Sequence, residues 1–248
     1  MSHNETAHKA EAITPRAVSR AEFLAALFEK ADPALWLEIR CIHPVTDAVR
    51  VRWTPLGDRR RLANNLRQAD ALNKSGHGVF FSPCLRDQKK GSAEAAAMVP
   101  ALWVDVDCDD DAAQRAAALD TLHNFEPTPS IILDSGGGWH VYWLLDEPHP
   151  LPDDAAREHI ASILQGLFDA VGGDVEYTKS VASLMRLPNT VNAKPERGGV
   201  VARVVEFHPE RRSPLAAFEW LAVKPGKSTN SRLLLLQSGN GHAPLPQV

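Results

Sequence analysis

Residues 100–111 read PALWVDVDCDDD, an apolar run that breaks into five aspartates. In a strand the side chains alternate between two faces. Leu102, Val104 and Val106 therefore share one face, and Trp103, Asp105 and Asp107 share the other. Two carboxylates about 7 Å apart on one strand face repel each other and gain nothing from packing. A cation between them removes the conflict, and a hard divalent metal is the natural choice.

The strand sits in a chain of ordinary globular character. It has 248 residues, 44% hydrophobic and 23% charged, enough for one large domain or two small ones. No apolar run approaches the roughly 18 residues that cross a bilayer, and MSHNETAHKAEA at the start lacks the apolar stretch of a signal peptide. Cys41, Cys84 and Cys108 are odd in number and widely spaced. That speaks for a reducing cytoplasm and against a disulfide framework or a four-cysteine zinc site. The expectation is a cytoplasmic protein with no membrane partner.

The net charge of −4 disfavours a nucleic-acid binder, but its distribution does not. Residues 50–90 carry ten Lys or Arg against three acids, while residues 101–120 carry six aspartates and one arginine. A basic region beside an acidic cluster suits a protein that grips phosphates and holds metals. Two solvated faces of opposite sign are the plain alternative.

Outward from the acidic strand, hydrophobic spacing predicts a mixed chain. Ser19 to Glu22 has capping-box form ahead of Phe23, Leu24, Leu27 and Phe28. Strands at 35–42 and 48–53 form a hairpin, with Arg50 and Arg52 opposite Val49, Val51 and Trp53. A helix over 58–74 stops at Gly76, and 77–85 reads as a strand. Residues 87–98 read as a mobile loop or a short alanine helix. The acidic strand spans 99–107 and a helix follows near 110–124. Strands at 129–134 and 139–145 are joined through SGGG, and a strong helix spans 152–173. A strand at 199–207 and a short helix at 214–221 close the body. The sequence predicts one folded domain over 1–222, flexible over 1–17, and a flexible tail over 223–248. LLLLQ at 233–237 is the apolar exception in that tail. Strands and helices mix without strict βαβ alternation, which points to a mostly antiparallel α+β fold.

Two further stretches carry chemistry. DSGGGWHVYW at 134–143 places Ser135, Gly136, Gly137 and Gly138 between strands. Glycines there allow close approach of a ligand or another backbone, and consecutive turn amides form an anion-binding nest. A flexible hairpin turn is the bland reading. His140 shares a face with Tyr142. GGDVEYTKSVASLMRLPNTVNAKP at 172–195 offers Asp174, then the donors Arg186, Asn192 and Lys194. Asn192 can equally cap backbone groups, and LPNT reads as a turn.

A strand ending in D-x-D, then S-G-G-G-x-H-x-Y-W, then an acid before L-M-R-L-P-N-T-x-N-x-K resembles the archaeo-eukaryotic primase superfamily. The likeness is greatest to the primase–polymerase and RepB-like primase domains of plasmids and phages. It runs from about Val79 to Lys194, and the order of three motifs gives it specificity. It implies a primase–polymerase fold: a central, mostly antiparallel, RRM-like sheet flanked by helices. By position Asp105, Asp107 and Asp174 resemble the metal ligands, with Glu176 a rival for the third place. Ser135, the glycines and His140 resemble the triphosphate-contacting motif, and Arg186, Asn192 and Lys194 extend it. Asn189 departs from the glycine usual before the threonine. The chain after Lys194 is too short for the helical accessory domain that usually supports primer initiation, so that domain is expected to be absent.

The implied activity is template-dependent nucleotidyl transfer as DNA primase or DNA polymerase. The cofactors would be two Mg²⁺ or Mn²⁺ ions and the substrate a dNTP or rNTP. Carboxylate-rich sites favour these hard ions over zinc. The partners would be single-stranded template and primer, and a replicative helicase or initiator. Arg50, Arg52, Arg86, Lys89 and Lys90 are expected to follow the DNA backbone. A metal-dependent nuclease and a catalytically silent single-stranded-DNA-binding initiator module are the competing readings.

Overall fold

The computed structural model describes residues 17–108, 111–172 and 180–223. The elements run α1 (Arg20–Leu27), β1 (Trp36–Ile42), β2 (Val49–Pro55), α2 (Arg59–Lys74), β3 (Gly78–Phe81), β4 (Leu85–Arg86), β5 (Ala96–Asp107), α3 (Ala112–His123) and β6 (Ile131–Asp134). They continue with β7 (Gly138–Pro150), α4 (Asp154–Val171), β8 (Met185–Arg186), β9 (Arg203–Phe207) and β10 (Arg212–Ser213), with short 3₁₀ turns between and a 3₁₀ helix at Leu215–Leu221. The expected flexible ends lie almost wholly outside the described residues, as does LLLLQ.

Local signals explain most boundaries. The Ser19 side chain accepts from the Glu22 N–H and Glu22 reaches back to the Ser19 N–H, so the capping box starts α1. Asp111 caps α3 through the N–H groups of Ala113 and Gln114, so one acid of the aspartate run is a helix cap. Gly172, left-handed at φ 76°, stops α4. Asn189 is also left-handed at φ 57°. Asparagine tolerates that region better than most residues, so the turn keeps a glycine-like geometry despite the departure.

The strands form one sheet in the order β8-β3-β1-β4-β5-β7-β6-β9, with β2 on β1 and β10 on β7. Every pairing is antiparallel except β10 with β7. The fold is mixed α and β with a large antiparallel sheet, and β5-α3-β6-β7-α4 is its RRM-like part. The two-residue β4 links the β1 part of the sheet to the β5 part. The sheet folds over at that link. The ring of Phe81 on β3 stacks on Tyr142 of β7 at 6.3 Å, and Phe23 of α1 meets both edge-on. Each such pair adds about 0.5–1.5 kcal/mol beyond area burial.

Three expectations need correction. Residues 96–98 are strand, because Ala96 and Met98 pair with Arg86 and Leu85; tertiary pairing overrides the helix preference of alanine. Only Ala93–Ala95 forms a helical turn. The strand expected at 77–85 is broken after Phe81, where Ser82 Oγ donates to the Cys84 carbonyl across Pro83. The strand expected from 199 begins at Arg203, preceded by a lone bridge between Val191 and Val201.

Candidate active site

The β5–β7 register sets the centre of the site. Asp105 lies opposite His140, and Asp107 opposite Gly138. His140 Nε2 is 3.5 Å from Asp105 Oδ1. His140 Nδ1 accepts from the main-chain N–H of Arg186 at 3.2 Å. A backbone N–H can only donate, so Nδ1 carries no proton and Nε2–H faces the carboxylate. One bond across the fold thus selects the tautomer.

Arg186 follows on from that bond. Its residue is 4% exposed, and its guanidinium lies 4.8 Å over the Phe80 ring. Nη1 is buried and has no hydrogen-bond partner among the described residues. Burial pulls its pKa down to about 10, against the opposing pull of Asp105. A buried donor on a charged group without an acceptor is costly unless a ligand supplies one.

The two acids are driven apart electrostatically. Burial works against ionisation of Asp105, but His140, Arg186 and Lys194 together outweigh it and hold the carboxyl below its usual range. Asp107 is pushed up by partial burial and by the charge of Asp105, while Arg197 and Lys194 pull the other way. Like charges this close favour a shared cation. Two carboxylates at a strand end suit hard divalent ions, which prefer oxygen donors. Among the described residues no group of three or more His, Cys, Asp or Glu could hold a metal. Asp174 and its rival Glu176 lie outside the described residues.

The glycine loop is built differently from an open nest. Gly136 is left-handed at φ 89°, and its N–H donates to Asp134 Oδ1. Arg115 holds the other oxygen of Asp134 at 2.9 Å and lies over Trp139. A Cβ on Gly138 would sit 1.9 Å from the Val106 carbonyl oxygen, so close strand approach demands glycine there. Ser135 Oγ donates to the Gly138 carbonyl. Asn192 is buried, donates to the Ser135 carbonyl and accepts from the Lys194 N–H. Ser135, Gly136 and Asn192 are therefore engaged in holding the loop, and backbone capping describes Asn192 better than ligand contact. Lys194 is exposed, and its charge acts on both Asp105 and Asp107.

The expected DNA-gripping residues separate. Arg50, Lys89 and Lys90 are exposed, with Lys89 4.4 Å over the Trp36 ring. Arg52 is half-buried, and its Nε is enclosed. Arg86 must be withdrawn from the set: it is 0% exposed and donates to Ser82 Oγ and to the carbonyls of Val181 and Ser92. Its role is to tie β4 to the chain around it. Arg197 was missed by sequence reasoning, yet its Nη2 is 3.6 Å from Asp107 Oδ1. Ninety positions separate the pair, and no periodicity links them. The one available signal was a third consecutive glycine where the backbone requires two.

No protein-family model matches the chain, and no curated protein matches it. Solved structures do. The AEP domain of the cyanophage S-2L primase-polymerase superposes with a TM-score of 0.58 at 23% identity, covering 80% of this chain and 95% of that one. The catalytic domain of primase RepB′ in complex with initiator DNA gives 0.55 at 12% identity, covering 88% and 98%. A second structure of primase RepB′ gives 0.57 at 12% identity, covering 89% of this chain and 65% of that one. The chain has the fold of these primase and primase–polymerase (AEP) catalytic domains.

Proposed function

We propose that this protein is a template-dependent nucleotidyltransferase, a DNA primase or DNA polymerase acting in plasmid- or phage-type replication. The observation that carries the reading is Arg186: a buried guanidinium with a donor unanswered among the described residues, set beside Asp105 and His140. That arrangement fits an anion meeting a carboxylate site, as a metal-bound triphosphate does. The fold shared with primase and primase–polymerase domains supports the same reading.

Asp105 and Asp107, with Asp174 as the expected third acid, would hold Mg²⁺ or Mn²⁺. With two ions bound, the site gains an activated 3′-hydroxyl and charge neutralisation along the triphosphate. The chain's own groups do the rest. Arg186 and Lys194 place positive charge where the triphosphate and the departing pyrophosphate carry negative charge. The Arg186 N–H keeps His140 in the tautomer that presents Nε2–H on the Asp105 side. Gly138 lets the β7 backbone lie close against β5 opposite Asp107.

The partner would be single-stranded template with a primer. The RepB′ neighbour was solved with initiator DNA, and exposed Arg50, Lys89 and Lys90 supply phosphate contacts here. Among the described residues no helix is long and apolar enough to cross a membrane. A cytoplasmic setting and a helicase or initiator partner belong to the same proposal.

The test is primer synthesis and extension by wild type, Asp105→Ala and Asp107→Ala, with Mg²⁺ or Mn²⁺, with and without primer, and with both sugar types. The expected result is chain growth with pyrophosphate release in wild type, lost in both variants. Undiminished incorporation by the variants would defeat the proposal. Shortened DNA without pyrophosphate would establish the nuclease instead.

A further inference from the structure

Arg197 lies at the end of a one-turn 3₁₀ helix, Pro195–Arg197. Its side chain is 11% exposed although it ends in a guanidinium beside the half-exposed Asp107 carboxylate. Gly137 contributes to that enclosure. A Cβ at that position would stand 2.7 Å from Arg197 Cζ, 2.8 Å from Nη2 and 3.0 Å from Nε. The guanidinium plane therefore rests on the side-chain-free face of the loop. Gly136 and Gly138 have backbone reasons to be glycine, and Gly137 does not have a left-handed φ. Its missing side chain makes a seat.

The seat holds a cation against one of the two acids expected to bind metal. A planar guanidinium is weakly hydrated and matches carboxylate and phosphate oxygens equally well. At 3.6 Å the pair with Asp107 is close but not a tight hydrogen-bonded fork. Such a contact offsets the repulsion between Asp105 and Asp107 and can be exchanged.

Resting on the nucleotidyl-transfer reading, we infer that Arg197 is an exchangeable counter-ion of the site. It holds Asp107 in the absence of nucleotide and moves to a phosphate oxygen of the incoming nucleotide, leaving Asp107 to a divalent ion. Arg197 and the metal are then competitors for the acid, whereas Arg197 and the triphosphate are partners.

This yields two effects of opposite sign, which a merely structural residue does not produce. The test uses the full chain. Mn²⁺ binding without nucleotide is followed by electron paramagnetic resonance, and binding of a fluorescent dNTP is followed in EDTA. Arg197→Gln is expected to tighten Mn²⁺ binding by at least about threefold, since a competing ion pair is gone. It is expected to weaken metal-free dNTP binding about tenfold, since a charge-assisted contact is gone. Gly137→Ala keeps the charge but displaces it from its seat, and should shift both affinities in the same directions by less. If Arg197→Gln fails to fold, Gly137→Ala decides. Both affinities falling together, or neither changing while wild type binds dNTP, overturns the inference alone. A wild type that binds no dNTP with or without metal sinks the nucleotidyl-transfer reading and this inference with it.

Discussion

The main-chain N–H of Arg186 donates to the imidazole Nδ1 of His140 at 3.2 Å, joining β8 to β7 across the fold. That bond fixes which histidine nitrogen faces Asp105, so it couples folding to the chemistry of the site. Removing the ring strands a buried N–H, at about 1–3 kcal/mol. His140→Ala should lose about that much stability in urea unfolding and most of its nucleotide incorporation. His140→Asn can place its Oδ1 near the former Nδ1 position. It should recover much of the stability without recovering activity, and equal losses in both variants would contradict this account of the bond.

Arg186 should behave in the opposite way. Burial holds its pKa down to about 10, so the native state opposes its charge. Its Nη1 is buried without an acceptor among the described residues, and an apolar chain of similar length removes the cost of burying that unpaired donor. Arg186→Met is expected to unfold at or above the wild-type temperature while binding dNTP at least about tenfold more weakly. Calorimetry beside a nucleotide titration checks both halves.

Arg86 and the lysines that follow it should separate cleanly. Arg86 is enclosed, acts electrostatically on the fully buried Glu38 and donates to three acceptors. Arg86→Ala should cost at least about 1–3 kcal/mol of stability, because it leaves buried acceptors without their donor. The double variant Lys89→Ala with Lys90→Ala should leave stability within about 0.5 kcal/mol. It should lower the salt slope of single-stranded DNA binding by about 1.4, at 0.7 per lost phosphate contact. An unchanged slope would remove the lysines from the DNA path.

The thiols give a pH signature. Burial pushes Cys84 and Cys41 each up from 9.0 to about 11, with nearby arginine opposing the rise. In that window the unfolded state gives up thiol protons that the native state keeps. Stability should therefore fall as pH rises from 9 to about 11, and less so in Cys84→Ala. At pH 8 the native chain should resist iodoacetamide at both positions and react once denatured.

Much of this architecture was legible in the amino-acid order. Period-two alternation placed Asp105 and Asp107 on one face of β5, whereas the Asp105–His140 register emerged only from the folded sheet. Capping signals at Ser19 and Gly172 located helix ends because they depend on neighbours in the chain. What escaped depends on contacts between distant segments. Arg86 looks like any surface cation until β4 threads between β1 and β5 and surrounds it. Ala96 joins a strand because Arg86 is there to pair with it. Arg197 reaches Asp107 only after the chain returns beside the glycine loop. The glycine triplet was read as one feature, whereas its members serve a left-handed turn, a guanidinium seat and a close strand crossing.

The most direct test is a crystal structure of the full chain soaked with Mn²⁺ and a non-hydrolysable dNTP, with the metal located by anomalous scattering. The account requires manganese bound to oxygens of both Asp105 and Asp107, with triphosphate oxygens against the Arg186 guanidinium. Manganese elsewhere, or a triphosphate bound away from Arg186 and His140, would contradict it.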